Sequence, residues 1–161
     1  MLIQTAKREA RVPSHPSWRG LMEESACEVF SRMIGTEVTP ISEVIVPDFG
    51  DVIAMVGMAG ALCAVFRVRC SSEAALSIAG KMLGGETDAS QIPDAIGEVC
   101  NMVAGNFKAK IDGLAAGCML STPTVVIGHH EKVFSPATTE HLFAMVDYEG
   151  KPVWLGLEVS S

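Results

Sequence analysis

The chain repeats itself, and the repeat constrains its fold more than any other feature. At an offset of 70, Glu24-Ser-Ala-Cys-Glu28-Val-Phe-Ser31-Arg-Met-Ile-Gly35 lies over Asp94-Ala-Ile-Gly-Glu98-Val-Cys-Asn101-Met-Val-Ala-Gly105. At an offset of 90, Ile53-Ala-Met-Val56 with Gly60 lies over Phe143-Ala-Met-Val146 with Gly150. Each copy therefore reads as a helix followed by strands, and a half of that kind cannot bury its apolar faces alone. The predicted fold is α+β: two pseudo-symmetric helix–β–β–β units forming one mainly antiparallel sheet, with helices packed on one face.

Local signals place the elements. Leu21 to Ile34 is predicted to be a helix with Leu21, Cys27, Phe30 and Ile34 on its buried side and Gly35 as its stop. Ile45–Pro47, Val52–Met58 and Leu62–Cys70 are β-rich runs, broken by Asp48-Phe-Gly50 and Ala59-Gly60. Ser71 or Ser72 with Glu73 caps a second helix that runs to Leu83 and ends at Gly84-Gly85. A polar link from Glu86 to Ser90 leads into the helix of the second copy, and Pro93 suits its first turn. Three more strands follow, Met119–Ile127, Leu142–Tyr148 and Val153–Val159, with Glu149-Gly150 turning the last two and His129 to Thr139 as a longer connection. Residues 1–18 show no periodicity and read as a loose arm, leaving 19–161 as one domain.

The helix opening at Pro93 carries the candidate site. Ile96, Val99, Val103, Phe107 and Ile111 recur at three- and four-residue steps and form its buried face. Asp94, Glu98, Asn101, Lys108 and Asp112 fall on one narrow stripe of the opposite face, with Gly105 in it and Gly97 beside it. Each glycine costs a helix roughly 0.5–1 kcal/mol relative to alanine. Two of them flanking a carboxylate and an amide suggest that something comes close to this face. The first copy keeps its acids at Glu24 and Glu28 but has Ser31 where the second has Asn101. A hydroxyl is shorter than a carboxamide and presents one donor rather than two, so the twin site reads as vacant.

Composition narrows the function. The 161 residues include 48% hydrophobic side chains and a net charge of −7, enough for a substantial core and unsuited to neutralising phosphates along nucleic acid. No apolar run approaches the length of a membrane span, and Met1 to Trp18 lacks the apolar core of a signal peptide. Cys27, Cys63, Cys70, Cys100 and Cys118 have no C-x-x-C pairing and sit in apolar segments, as reduced core residues of a cytoplasmic protein would. Cys100 turns to the core side and has no histidine nearby in sequence, which argues against a thiol nucleophile. Met82, Met102, Met119 and Met145 are expected in the core. His129-His130 lacks a third ligand at metal-binding spacing, so a loop is expected there.

At Asp94-x-x-x-Glu98-x-x-Asn101, with Pro123 in Leu120-Ser-Thr-Pro123-Thr-Val-Val-Ile127-Gly, the sequence resembles the CheC/CheX/FliY family of chemotaxis phosphatases. Met33-Ile-Gly-Thr-Glu-Val-Thr-Pro40 and Lys81-Met-Leu-Gly-Gly resemble the family as well, and the resemblance runs from about Trp18 to Val159. A single intact motif in a chain of this length is more like CheX than CheC. The resemblance implies a hydrolase acting on the aspartyl phosphate of a CheY-like response-regulator receiver in chemotaxis or related two-component signalling. It implies Glu98 and Asn101 as the catalytic pair, with Asn101 positioning the attacking water and Glu98 paired with the receiver's active-site lysine. Asp94, Gly97 and Gly105 would contact the partner; the other reading open for Asp94 is a charge that serves only the helix dipole. No cofactor is implied on this chain, Mg²⁺ being expected on the partner receiver. Pro123 is carried over as a structural marker that bends or ends an edge strand.

Two other classes stay open from sequence. One is a non-catalytic module that docks a receiver or a flagellar or chemoreceptor-associated partner. The other is a homodimeric scaffold pairing through a sheet edge, for which the apolar final strand Val153-Trp-Leu-Gly-Leu157 is suited. CheX-like family members dimerise through their sheets, so a homodimer is expected alongside the phosphatase reading too.

Overall fold

The computed structural model describes residues 15, 17–43, 51–128 and 138–160. The expected strand at Ile45–Pro47, the turn Asp48-Phe-Gly50, His129-His130, Pro136 and most of the arm lie outside the described residues. Helix α1 (Trp18–Val29) runs into a π-helical turn, Phe30–Ile34, that Gly35 ends with φ +73°. Strands β1 (Thr39–Pro40), β2 (Val52–Gly60) and β3 (Ala64–Cys70) follow, then α2 (Ser72–Leu83) and α3 (Ile92–Ala109). The second set of strands is β4 (Cys118–Leu120), β5 (Thr124–Ile127), β6 (Thr138–Tyr148) and β7 (Lys151–Ser160).

The repeat governs the sheet. Its strand order is β1-β6-β7-β3-β2-β4, with β5 also pairing β2, and every described pairing is antiparallel. The two units meet where β3 pairs β7, from Ala64 opposite Val159 to Arg69 opposite Trp154. Each unit then lends its first strand to the other: β1 pairs β6, and β4 and β5 pair β2. The helices follow the same exchange, α1 packing on β6 and α3 on β2 while α1 and α3 pack together. Val52, Ala54, Val56 and Met58 of β2 and Ala64, Phe66 and Val68 of β3 alternate into the helix-side core.

Several expectations change in three dimensions. The final strand is not an edge: β7 is paired along β6 on one side and β3 on the other, and Val153, Leu155 and Leu157 are core while Trp154 is half-buried. Met119–Ile127 is two strands rather than one, because the ladder with β2 is interrupted at Ser121–Pro123, where Ser121 still bonds to Gly57, and resumes at Thr124. Alternation along β4 leaves Met119 77% exposed, on the sheet face away from buried Cys118, whereas Met145 is buried and Met82 and Met102 are half-buried. Thr138 and Thr139, read as connection, belong to β6. Trp18, counted with the arm, is the first residue of α1 and packs edge-on against Phe107 at 5.8 Å. In α1 the buried side is Met22, Ala26, Val29 and Phe30, while Leu21 and Cys27 are half-buried. Cys27 and Cys63 are likewise only half-buried; Cys70, Cys100 and Cys118 are core, and all five are free thiols.

Candidate functional site

Local chemistry sets both ends of the site. Ser71 Oγ accepts from the Ala74 amide at 3.1 Å to start α2, and Gly84, at φ +70°, ends it with its N–H on the Gly80 carbonyl. Asp88 and Gln91 form a reciprocal capping box on the short 3₁₀ turn Ala89–Gln91, which delivers the chain into α3 with Pro93 in the first turn. On α3, Ile96, Val99, Cys100, Val103, Ala104 and Phe107 are buried. Asp94 and Glu98 are exposed, and Asn101 is half-buried on the same stripe. Steps of three and four residues put these side chains in adjacent positions on one face.

The stripe is shorter than its sequence suggests. The helix ends at Ala109, so Asp112 lies in the turns that follow it and leaves the stripe. Lys108 turns away from the acids and donates to the carbonyls of Cys118 at 2.6 Å and Ala115 at 3.2 Å, anchoring the approach to β4. What remains is Asp94, Glu98, Asn101 and Gly105. Among the described residues, no side chain or backbone group bonds to the carboxylates of Asp94 and Glu98 or to the carboxamide of Asn101.

An open cleft of about 480 Å³ runs beside Asp94 and Glu98, lined also by Pro93, Gly97, Pro123 and Val125. Pro123, expected only as a strand marker, thus forms the wall facing Glu98 across Gly97. A Cβ on Gly97 would lie 3.2 Å from Pro123 Cβ and 3.3 Å from Val125 Cγ2. The close approach that Gly97 permits is therefore with this chain's own β4–β5 segment, which brings that wall up to the helix. Gly105 is different: a Cβ there would meet only Leu120 Cδ1, at 3.8 Å. Nothing in the fold requires glycine at 105. A Gly105→Ala variant should accordingly be about 0.5–1 kcal/mol more stable in urea denaturation, the gain expected from helix propensity.

The twin copy on α1 has the opposite fate. Glu28 accepts from Asn106 Nδ2 and from Lys110 Nζ, both at 2.9 Å, which ties α1 to the end of α3. Ser31 donates to Glu37 at 2.6 Å, and Cys27, standing where α3 has Gly97, points its thiol at the Val38 carbonyl. Lys110 and Asn106 hold the Glu28 carboxyl below its ordinary value. A depressed native value adds stability that is present above the unfolded value near 4.5 and is lost as pH falls through the native one. Glu28→Gln should therefore flatten the acid limb of the stability–pH curve below about pH 4.5 and leave the site on α3 intact. This Asn106–Glu28–Lys110 lock escaped sequence reading; Asn106 and Lys110, spaced one turn apart at the end of the helix, were its only trace.

Cys100 lies between Glu98 and Asn101 on the helix but faces inward, its sulfur near the carbonyls of Ala54 and Phe66. Burial pushes its thiol up to about 12, so it holds its proton at neutral pH. Among the described residues no group of three or more His, Cys, Asp and Glu side chains is placed to hold a metal ion, and no helix is long and apolar enough to cross a membrane. His129 and His130 are outside those residues.

Known proteins share this fold. Residues 52–146 match the family described as chemotaxis phosphatase CheX. A protein of Thermotoga maritima, the CheY-P phosphatase CheX, is 32% identical over 87 residues, a match spanning 52% of this chain and 56% of that relative. The chain thus spans little more than half the length of the curated relative it matches. The crystal structure of chemotaxis protein CheX from Vibrio vulnificus superposes with a TM-score of 0.78 at 20% identity, covering 92% of this chain and 100% of that one. The CheX of a CheX–CheY–BeF₃–Mg²⁺ complex from Borrelia burgdorferi superposes with a TM-score of 0.72 at 21% identity, covering 89% and 98% of the two chains.

Proposed function

The chain belongs to the CheX family of chemotaxis phosphatases, and from that premise we propose that it hydrolyses the aspartyl phosphate of a CheY-like receiver. The observation that carries the proposal is the contrast between two equivalent carboxylates. Glu28 is consumed by Asn106 and Lys110, whereas Glu98 faces an open cleft, and neither Glu98 nor Asn101 one turn on has a bonding partner among the described residues. A charged group left unpaired on a helix whose twin is locked suits a surface completed by another molecule.

The chemistry fits the residues. Water attacks phosphorus in line; its oxygen bonds to phosphorus as the bond to the aspartyl oxygen breaks, leaving a receiver carboxylate and inorganic phosphate. The transition state is loose, so little proton removal is needed and most of the gain comes from holding the water in line. The Asn101 carbonyl oxygen accepts a hydrogen from that water while its NH₂ group donates to acceptors around it. Being uncharged, it orients the water without competing as a nucleophile. The receiver would hold Mg²⁺, which would supply the charge neutralisation that this chain's residues do not. Glu98 pairs with the receiver's active-site lysine, a contact that gains strength as the interface loses water. Asp94, near the positive end of α3, extends the acidic ridge toward the same cation, Gly105 keeps the stripe low, and Gly97 lets Pro123 close in as the wall beside Glu98.

In this reading Gly105→Ala, although more stable, binds the receiver less well, because its methyl stands on the docking stripe. Among the described residues the sheet ends at β4–β5 on one side and β1–β6 on the other, and the size of the protein in solution tests whether either edge carries a homodimer. The direct test of the function is the lifetime of a phosphorylated, Mg²⁺-loaded cognate receiver with and without this protein. Faster loss of the phosphoryl group supports the phosphatase. Binding with an unchanged lifetime would make it a docking module instead.

A further inference from the structure

The Asp94–Glu98 ridge has a second flank. On the side away from Pro123 lies a mainly apolar cleft of about 330 Å³, lined by Met82, Leu83, Gln91, Asp94, Ala95 and Glu98. Asp94 and Glu98 therefore belong to both clefts. We propose that this second cleft is an anchor pocket that takes an apolar side chain presented by the receiver beside its active site. The inference rests on the receiver reading above and adds to it the residue that reads the receiver's surface.

The first argument is continuity. Any molecule that brings a cationic centre down onto Glu98 must overlie both sides of the ridge, since Glu98 forms one wall of each cleft. The second is the nature of the walls. Leu83, the last residue of α2, is 56% exposed. A single exposed leucine needs no explanation, but this one adjoins half-buried Met82 and the small side chain of Ala95 to make a continuous apolar hollow. The third is rigidity. Gly84 terminates α2 one residue after Leu83, and the Asp88–Gln91 capping box fixes the start of α3, so both walls are held before any partner arrives. A pocket already formed spends less of its binding energy on ordering. The fourth is charge. Acids on the rim of an apolar hollow, in a chain of net charge −7, favour an apolar side chain flanked by a positive one, which the receiver's lysine supplies.

The apolar walls, Met82, Leu83 and Ala95, carry no group able to move a proton or hold water in line. Leu83 therefore acts on affinity and leaves the chemical step alone. Full-length Leu83→Glu and Leu83→Ala variants, each checked by circular dichroism, test this against native protein and Asn101→Ala. The readouts are affinity for the Mg²⁺-loaded receiver carrying beryllofluoride as phosphoryl mimic, and the single-turnover dephosphorylation rate at saturating phosphatase. The expected result is an affinity about tenfold weaker for Leu83→Glu, about 1.4 kcal/mol, with a smaller loss for Leu83→Ala and saturated rates within about twofold of native. Unchanged affinity in both variants would overturn the pocket while leaving the phosphatase reading standing. A lower saturated rate at unchanged affinity would also overturn it. If native protein neither binds nor dephosphorylates any cognate receiver, the receiver reading fails, and this inference with it.

Discussion

Asn101→Ala is expected to abolish receiver dephosphorylation while leaving the fold and receiver binding in place. Asn101 is half-buried on α3, opposite the core face, and makes no hydrogen bond within the described residues, so truncating it opens no cavity and orphans no partner. The loss should fall on the rate at saturation, by roughly 10²–10³-fold, the range seen when one positioned polar group is removed from a transition state. Glu98→Ala should behave differently: the saturated rate falls less, and affinity for the Mg²⁺-loaded receiver weakens. Radiolabel loss from the phosphorylated receiver, followed under single-turnover conditions over a range of phosphatase concentrations, separates the two effects. Acceleration surviving in Asn101→Ala would move the chemistry elsewhere on the molecule.

The second large effect lies in the core. Phe107 is fully buried on the inner face of α3, edge-on to Trp18 at 5.8 Å and tilted against Phe66 of β3 at 5.7 Å. It joins both helices to the sheet at the junction of the two units. Phe107→Ala should cost about 3–5 kcal/mol through lost transfer energy and the cavity left behind. A domain has only about 5–15 kcal/mol in hand. At roughly 2–4 °C per kcal/mol for a chain of this size, the melting temperature should drop by about 6–20 °C. Urea denaturation followed by circular dichroism gives the free energy directly, and a loss below 1 kcal/mol would mean the core had collapsed around the gap. Phosphatase activity of the fraction still folded should persist, because Phe107 points away from Asp94, Glu98 and Asn101.

How far the site could be read in advance differs residue by residue. The stripe of Asp94, Glu98, Asn101 and Gly105 follows from helical period alone. Its continuation to Lys108 and Asp112 does not hold, because Lys108 finds carbonyls at Cys118 and Ala115 and the helix stops at Ala109. Gly97 was legible as a place of close approach, but what approaches it in the fold is Val125 and Pro123 of the same chain. The second cleft was invisible, since Leu83 reads simply as the last apolar residue before a Gly-Gly stop.

The amino-acid sequence by itself determined what depends on neighbours a few residues apart. Ser71 and Gly84 bound α2 because a cap and a left-handed stop act within one turn. Glu149 and Gly150 turn β6 into β7 because both positions need positive φ. The two-unit plan was also written there, in the repeated segments. Tertiary structure alone decided which strand is central, since β7 becomes interior only by pairing β3, and which of two like carboxylates stays free. Glu28 meets Lys110 from 82 positions away, a partnership that only the packing of α1 on α3 creates. Local chemistry is short-ranged along the chain. Pairing and burial are short-ranged in space, and only the finished fold says which distant residues share it.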